Sequence, residues 1–145
     1  SAARVVRLFG FDPKVAFVSH STFGQPVTSR TKHIKKAVDI LRDRKVDFEF
    51  DGDMQPDVAL NKDYKNLYPF SNIVGNANIL IMPGQHSAAI SYKMMKELGD
   101  TKVIGPLLIG LGLPIEIAPL RTSTSELINL ASIAAYSADV IDYEK

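Results

Sequence analysis

Apolar residues follow two different periods along this chain. Lys14-Val15-Ala16-Phe17-Val18 is a short apolar run that begins after Pro13 and stops at the polar Ser19-His20-Ser21-Thr22, which predicts a buried strand. Over residues 29–44 the apolar Ile34, Ala37, Val38 and Leu41 recur at i, i+3, i+4 and i+7. Arg30, Lys32, Lys35, Lys36, Asp39, Arg42 and Asp43 fill the remaining positions, so the spacing predicts an amphipathic helix with one face on a core. Val46, Phe48 and Phe50 then alternate with Asp47 and Glu49, predicting a half-exposed strand over 46–50. That strand ends in Asp51-Gly52-Asp53, read as a turn with its glycine at positive φ. Residues 56–69 are weakly helical, with 57–60 the best-defined turn. Ile79-Leu80-Ile81-Met82 predicts a second buried strand, stopped by Pro83-Gly84, and 87–98 a helix with Ser87 as N-cap and Gly99 as its C′ stop.

Residues 103–117 hold strand-like pieces, but Gly105, Pro106, Gly110, Gly112 and Pro114 point to bends and close backbone contact instead of one long element. Ser123-Thr124-Ser125-Glu126 reads as a capping box opening a helix over 124–138. Its Leu127, Ile128, Leu130, Ala131, Ile133, Ala134 and Ala135 leave almost no polar face, which predicts burial on more than one side, by its own domain or by a second subunit. Strands alternating with helices give an α/β expectation: three layers, a mostly parallel sheet flanked by helices.

Composition narrows the chemistry. A chain of 145 residues with 46% hydrophobic residues is one domain or half of a larger one. The absence of cysteine excludes disulfides, Cys-ligated zinc, iron–sulfur clusters and a Cys nucleophile, and suits a reducing cytoplasmic setting. A formal charge of +1 offers no basic field for nucleic acid. The broken run 103–117 falls short of the ~20 continuous apolar residues of a spanning helix, so no membrane partner is expected. The start, Ser1-Ala2-Ala3-Arg4, lacks a Met and a long apolar segment behind it. It reads as a cut within a longer chain, with residues 1–11 as lead-in.

In open α/β sheets ligands bind beyond the carboxyl ends of the strands, which singles out residues 19–26, 51–55 and 83–87. Pro83-Gly84-Gln85-His86-Ser87 enters a helix start whose free N–H groups suit an anion such as phosphate, although any tight strand–helix loop needs the same residues. Ser19-His20-Ser21-Thr22-Phe23-Gly24 offers hydroxyls, an imidazole and a glycine that permits close approach, but names no reaction. Arg121, just before the capping box, can grip a phosphate bidentately; a solvated arginine is the plainer reading. There is no Gly-x-Ser-x-Gly elbow, no metal spacing among His20, His33 and His86, no EF-hand, no Gly-x-Gly-x-x-Gly and no Walker A sequence.

Taken in order, Val18-Ser19-His20-Ser21-Thr22-Phe23-Gly24, Phe50-Asp51-Gly52-Asp53-Met54-Gln55, Ala77-Asn78-Ile79-Leu80-Ile81-Met82-Pro83, Ile90-x-Tyr92-Lys93, Ile104-Gly105-Pro106-Leu107-Leu108-x-Gly110-Leu111, Pro114-Ile115 and Leu127-Ile128-Asn129-Leu130 form a series of blocks. The series resembles the second half of a phosphate acetyl/butyryl transferase (phosphotransacetylase) domain, over about residues 12–137. The Ser-His-Ser-x-Phe-Gly form is most similar to the branch fused to the C-terminus of bacterial NADP-dependent malic enzymes. The resemblance implies that 12–145 is the C-terminal half of such a domain. A malic enzyme region converting malate to pyruvate, with its NADP and divalent metal (Mg or Mn), would then lie outside these residues, leaving no cofactor and no metal here.

Active members of the family carry a loop similar to Leu-Ser-Arg-Gly before the last helix, an acidic residue on its first turn and an arginine late in the preceding helix. Here Pro119-Leu120-Arg121-Thr122 keeps the arginine but places Leu120 at the serine, while Leu127 and Glu97 fall on the other two positions. The resemblance therefore implies lost acyl transfer, no catalytic residue, and a retained pocket for an acetyl-CoA-type or phosphate ligand at Ser19, Ser21, Thr22, Gly24, Gly84, Ser87 and Arg121. It also implies a regulatory and oligomerisation role, with dimerisation through the C-terminal half. The alternative is a working phosphate acetyltransferase making acetyl-CoA from acetyl phosphate and CoA.

Overall fold

The computed structural model describes residues 2–99 and 101–141. The elements are α1 (Ala2–Leu8), β1 (Lys14–Val18), α2 (Ser29–Asp43), β2 (Glu49–Met54), α3 (Pro56–Leu60), α4 (Lys62–Lys65), β3 (Ile79–Ile81), α5 (Gln85–Leu98) and α6 (Thr124–Ile141). They fall into two units, Ala2–Tyr92 and the chain from Lys93 onward, each described by itself.

The first unit holds a parallel sheet in the order β2-β1-β3, with α2 packed on β2 and α3 on β1. This is the expected α/β class. Ala16, Met54, Val58, Ala59, Ile73 and Ala77 form its core, with Phe23, Tyr68 and Leu80 packed against them. The amphipathic helix is present as α2. Thr28 and Thr31 cap it reciprocally: the Thr31 N–H donates to Thr28 Oγ1 (3.2 Å) and the Thr28 N–H to Thr31 Oγ1 (2.8 Å). Val38 is buried on its inner side, and Lys35 and Arg42 hold Asp39 on the outer one.

Two strand expectations need correction. The second strand runs from Glu49 to Met54, so Asp51-Gly52-Asp53 lies inside it and is not a turn after it. Pairing decides this, because β1 begins at Lys14 and its partner is Glu49. The polar residues tolerate burial since the Asp51 carboxylate accepts the N–H groups of Gly52 (2.9 Å) and Asn72 (2.7 Å). Gly52 does sit at positive φ (+150°), at the point where the β1–β2 register shifts by one residue. The third strand is shorter than expected, Ile79–Ile81, and only Ile79 is buried; Ile81 is exposed on one of the two edge strands of the described sheet.

In the second unit residues 103–117 contain neither helix nor strand, so the strand-like pieces are not realised. Prolines 106 and 114 cannot donate to a ladder, and the Leu108 N–H is turned to the Glu116 carboxylate (3.4 Å). The capping box is present: Ser123 N–H donates to Glu126 Oε2 (2.7 Å) and Glu126 N–H to Ser123 Oγ (3.3 Å). On α6 only Leu130 is buried among the described side chains, while Leu127, Ile128 and Tyr136 are exposed, so this chain alone does not bury the helix on several sides.

Candidate functional site

The strand order places the site. The chain passes from β2 to β3 on the opposite side of β1, so the β1/β3 boundary is the switch point, beyond whose carboxyl ends α/β folds open a crevice. The segment after β1 turns at once. Thr22 and Gln25 exchange both N–H···O bonds (3.1 and 3.2 Å) around a two-residue turn with Phe23 at φ +49° and Gly24 at φ +82°. Paired positive φ is the type I′ geometry, which asparagine–glycine adopts readily and phenylalanine does not. The Phe23 N–H is held by the Asp53 carbonyl (2.6 Å), and its ring packs against Tyr68 (5.4 Å) and edge-to-face on Phe70 (4.8 Å).

Beneath this turn the Asp53 carboxylate, 3% exposed, is held by hydrogen bonds: Oδ1 accepts the Gly24 N–H (3.0 Å) and Oδ2 the Ser21 hydroxyl. Ser21 Oγ meets Ser19 Oγ at 3.1 Å, and Ser19 Oγ meets His20 Nδ1 at 3.5 Å. Gln55 adds its N–H to Thr22 Oγ1 (3.3 Å) and its amide to the His20 carbonyl (3.0 Å), and the Ser19 N–H donates to the Met54 carbonyl (2.9 Å). The segments after β1 and β2 are thereby one hydrogen-bonded body. Beside it a cleft of roughly 480 Å³ is walled by Phe23, Gly24, Phe70, Asp51, Lys32 and Lys35.

The expected residues are placed as follows. Ser19, Ser21, Thr22 and Gly24 come together in this network, the two serines buried and their hydroxyls used internally. Gly84 and Ser87 follow β3, the strand next to β1. Helix α5 starts at Gln85, so Ser87 is inside its first turn and is not the N-cap; its hydroxyl donates to the Gly84 carbonyl (2.8 Å). Arg121 belongs to the other unit, where it lines a groove of roughly 100 Å³ with Lys96, Thr122, Glu126 and Asn129. In that groove the Ser123 backbone N–H, then the Ser123 hydroxyl and the Lys96 ammonium (3.1 Å), hold Glu126 down to a pKa of about 2. Leu120, Leu127 and Glu97 are all exposed. Asp53 and Gln55 lie in the segment 51–55 that the sequence marks as a ligand loop, but no residue type there singles them out as site residues; their contacts to Ser21, Gly24, Thr22 and His20 do. Among the described residues no three His, Asp or Glu side chains gather as a metal site, and no helix is long and apolar enough to cross a membrane.

The chain is 50% identical over 137 residues to an NADP-dependent malic enzyme of Rhizobium meliloti, which covers 94% of this chain and 18% of that protein. It is 32% identical over 133 residues to a phosphate acetyltransferase of Clostridium acetobutylicum, covering 91% of this chain and 40% of that one. Among solved structures, a phosphotransacetylase from Streptococcus pyogenes superposes with a TM-score of 0.87 at 31% identity, over 94% of this chain and 42% of that one. This chain thus spans about a fifth of the malic enzyme's length and less than half of either acetyltransferase. The model of the phosphate acetyl/butaryl transferase family matches residues 1–135, and the chain belongs to that family.

Proposed function

We propose that this chain is the C-terminal half of the phosphotransacetylase-like domain of an NADP-dependent malic enzyme, and that this domain binds an acetyl-CoA-type ligand and joins subunits without transferring acyl groups. The observation that carries the second clause is Pro119-Leu120-Arg121-Thr122, with an exposed leucine where active relatives are expected to carry a serine. Attack of a CoA thiolate on acetyl phosphate needs a group to take the thiol proton and positive charge on the phosphate. Leu120 and Leu127 can do neither, and Glu97 brings the wrong sign. The first clause is supported by the 50% identity to a malic enzyme. Oxidative decarboxylation of malate, with NADP and a divalent metal, belongs in this reading to the region outside these residues.

The ligand is assigned to the segments after β1 and β3 of the first unit, with Ser19, Ser21, Thr22, Gly24, Gly84 and Ser87 building the walls; Arg121 is assigned as an anion contact on its own unit. A working phosphate acetyltransferase is the second reading, favoured by the retained Arg121 and the 32% identity to a phosphate acetyltransferase. The full-length protein separates them. It should reduce NADP in the presence of malate and form no acetyl-CoA from acetyl phosphate and CoA, whereas sustained acetyl-CoA formation establishes the second reading. Malate turnover by the 145 residues alone defeats the first. Arg121→Ala should weaken acetyl-CoA binding to the full-length protein by about 1.5–3 kcal/mol in calorimetry, the value of a charge-assisted hydrogen bond; unchanged affinity removes Arg121 from the site.

A further inference from the structure

The polar chain under the β1 turn has a direction, and the direction reaches the surface at His20. A carboxylate accepts hydrogen bonds and donates none, so the Ser21 hydroxyl, bonded to Asp53 Oδ2, spends its single proton there. The contact between Ser21 and Ser19 (3.1 Å) must then be donated by Ser19, which spends the Ser19 proton in turn. Ser19 has nothing left to give His20, and its contact with Nδ1 (3.5 Å) can only be donated by the ring. From these contacts we infer that His20 is held as the Nδ1–H tautomer, and that its Nε2, on an exposed residue, is a preset acceptor for an N–H, O–H or S–H donor of a bound ligand.

Three features support a built device. Asp53 is 3% exposed and its carboxylate is held by uncharged donors, the Ser21 hydroxyl and the Gly24 N–H, an expensive way to bury a carboxylate unless the hydrogen bonds it organises matter. The His20 backbone is fixed by Gln55, so the ring starts from an anchored position. The tautomer enforced is the one that free histidine does not favour, so a solvent-controlled ring would present Nε2 as a donor instead. Asp53, Ser21 and Ser19 are positioning residues, acting on the ligand through His20. The inference rests on the function proposed above only for the identity of the ligand.

The test uses the 145-residue chain labelled with nitrogen-15 in its histidines, with long-range proton–nitrogen spectra recorded above the titration of the ring and His20 assigned by its loss in His20→Gln. In the wild-type chain Nδ1 should carry the proton and Nε2 should not. Ser21→Ala frees the Ser19 proton to donate to Nδ1, and Ser19→Ala removes the ring's partner. Each should shift the tautomer ratio toward Nε2–H by roughly tenfold, the worth of one neutral hydrogen bond. The signals of His33 and His86 report whether each variant folds, and Ser19→Ala carries the prediction alone if Ser21→Ala does not. A wild-type Nε2–H tautomer, or a ratio indifferent to both substitutions, overturns the inference. Added acetyl-CoA should move the Nε2 signal while Nδ1 keeps its proton; binding that leaves Nε2 unmoved overturns its role as acceptor. A full-length protein that binds no acetyl-CoA overturns the function proposed above, while the tautomer measurement on the 145-residue chain still decides this one.

Discussion

A methyl group at position 52 has nowhere to go. Built on the Gly52 backbone, a Cβ would stand 2.7 Å from both the Cβ and the carbonyl oxygen of Phe17, in a conformation with φ at +150°. Gly52→Ala should therefore lose at least about 2 kcal/mol in urea denaturation, from backbone strain and overpacking together. Gly24 is a useful contrast, because a Cβ there meets nothing within 4 Å and only its φ of +82° resists substitution. Gly24→Ala should cost about 1–2 kcal/mol, the price of a left-handed residue alone. If the two variants prove equally stable, the close approach of β1 and β2 at the register shift is not a constraint on the fold.

At the scale of elements, α6 owes its first turn to a charge. Glu126, ordinarily near 4.5, is held at about 2 chiefly by the Ser123 N–H, so its folded pKa is depressed. A depressed carboxylate stabilises above its unfolded pKa, and that contribution disappears as pH falls from about 4.5 to about 2. The Ser123 amide resonance should shift across that window, and Glu126→Gln, which keeps a neutral capping side chain, should flatten the response. A wild-type amide that does not respond removes the charged box. This box, β1 and α2 are all legible in the sequence, because each is decided by neighbours within a turn or by an uninterrupted period. The second strand was misjudged because the partner that sets its start, Lys14, is remote in sequence, and because buried Asp51 and Asp53 look like turn residues until the N–H groups they accept are known. The segment 51–55 is marked as a ligand loop by the sequence, and Ser19, Ser21, Thr22 and Gly24 are chosen by residue type, but the role of the Asp53 carboxylate, which accepts from Ser21 and Gly24 across from another strand, is legible only in the fold. Residues 103–117 were harder still, since prolines and glycines report where a ladder cannot form without saying what replaces it.

For the molecule as a whole, association is the open physical question, and α6 supplies the variant that reads it. Ile128 is 60% exposed in the single chain, so a charge there should leave the fold intact. If copies pair through this helix, Ile128→Asp places the charge twice near a two-fold axis and should weaken the dimer by about 2 kcal/mol or more. Light scattering should then show a monomer while circular dichroism is unchanged; a wild-type chain that is monomeric at high concentration rejects pairing through α6. The sheet order carries a different consequence, for the order of events in time. Because β1 lies between β2 and β3, neither neighbour can join until β1 is in place, and both pairings close long loops. Loop closure grows only slowly more costly with length, so the advantage passes to the pairing with more ladder, and β2 pairs with all five residues of β1 while β3 pairs with three. Assembly should run from β1–β2 to β3, and spontaneous opening in the reverse direction. Amide hydrogen exchange should therefore release β3 first and Ala16, buried in the middle of the central strand, last.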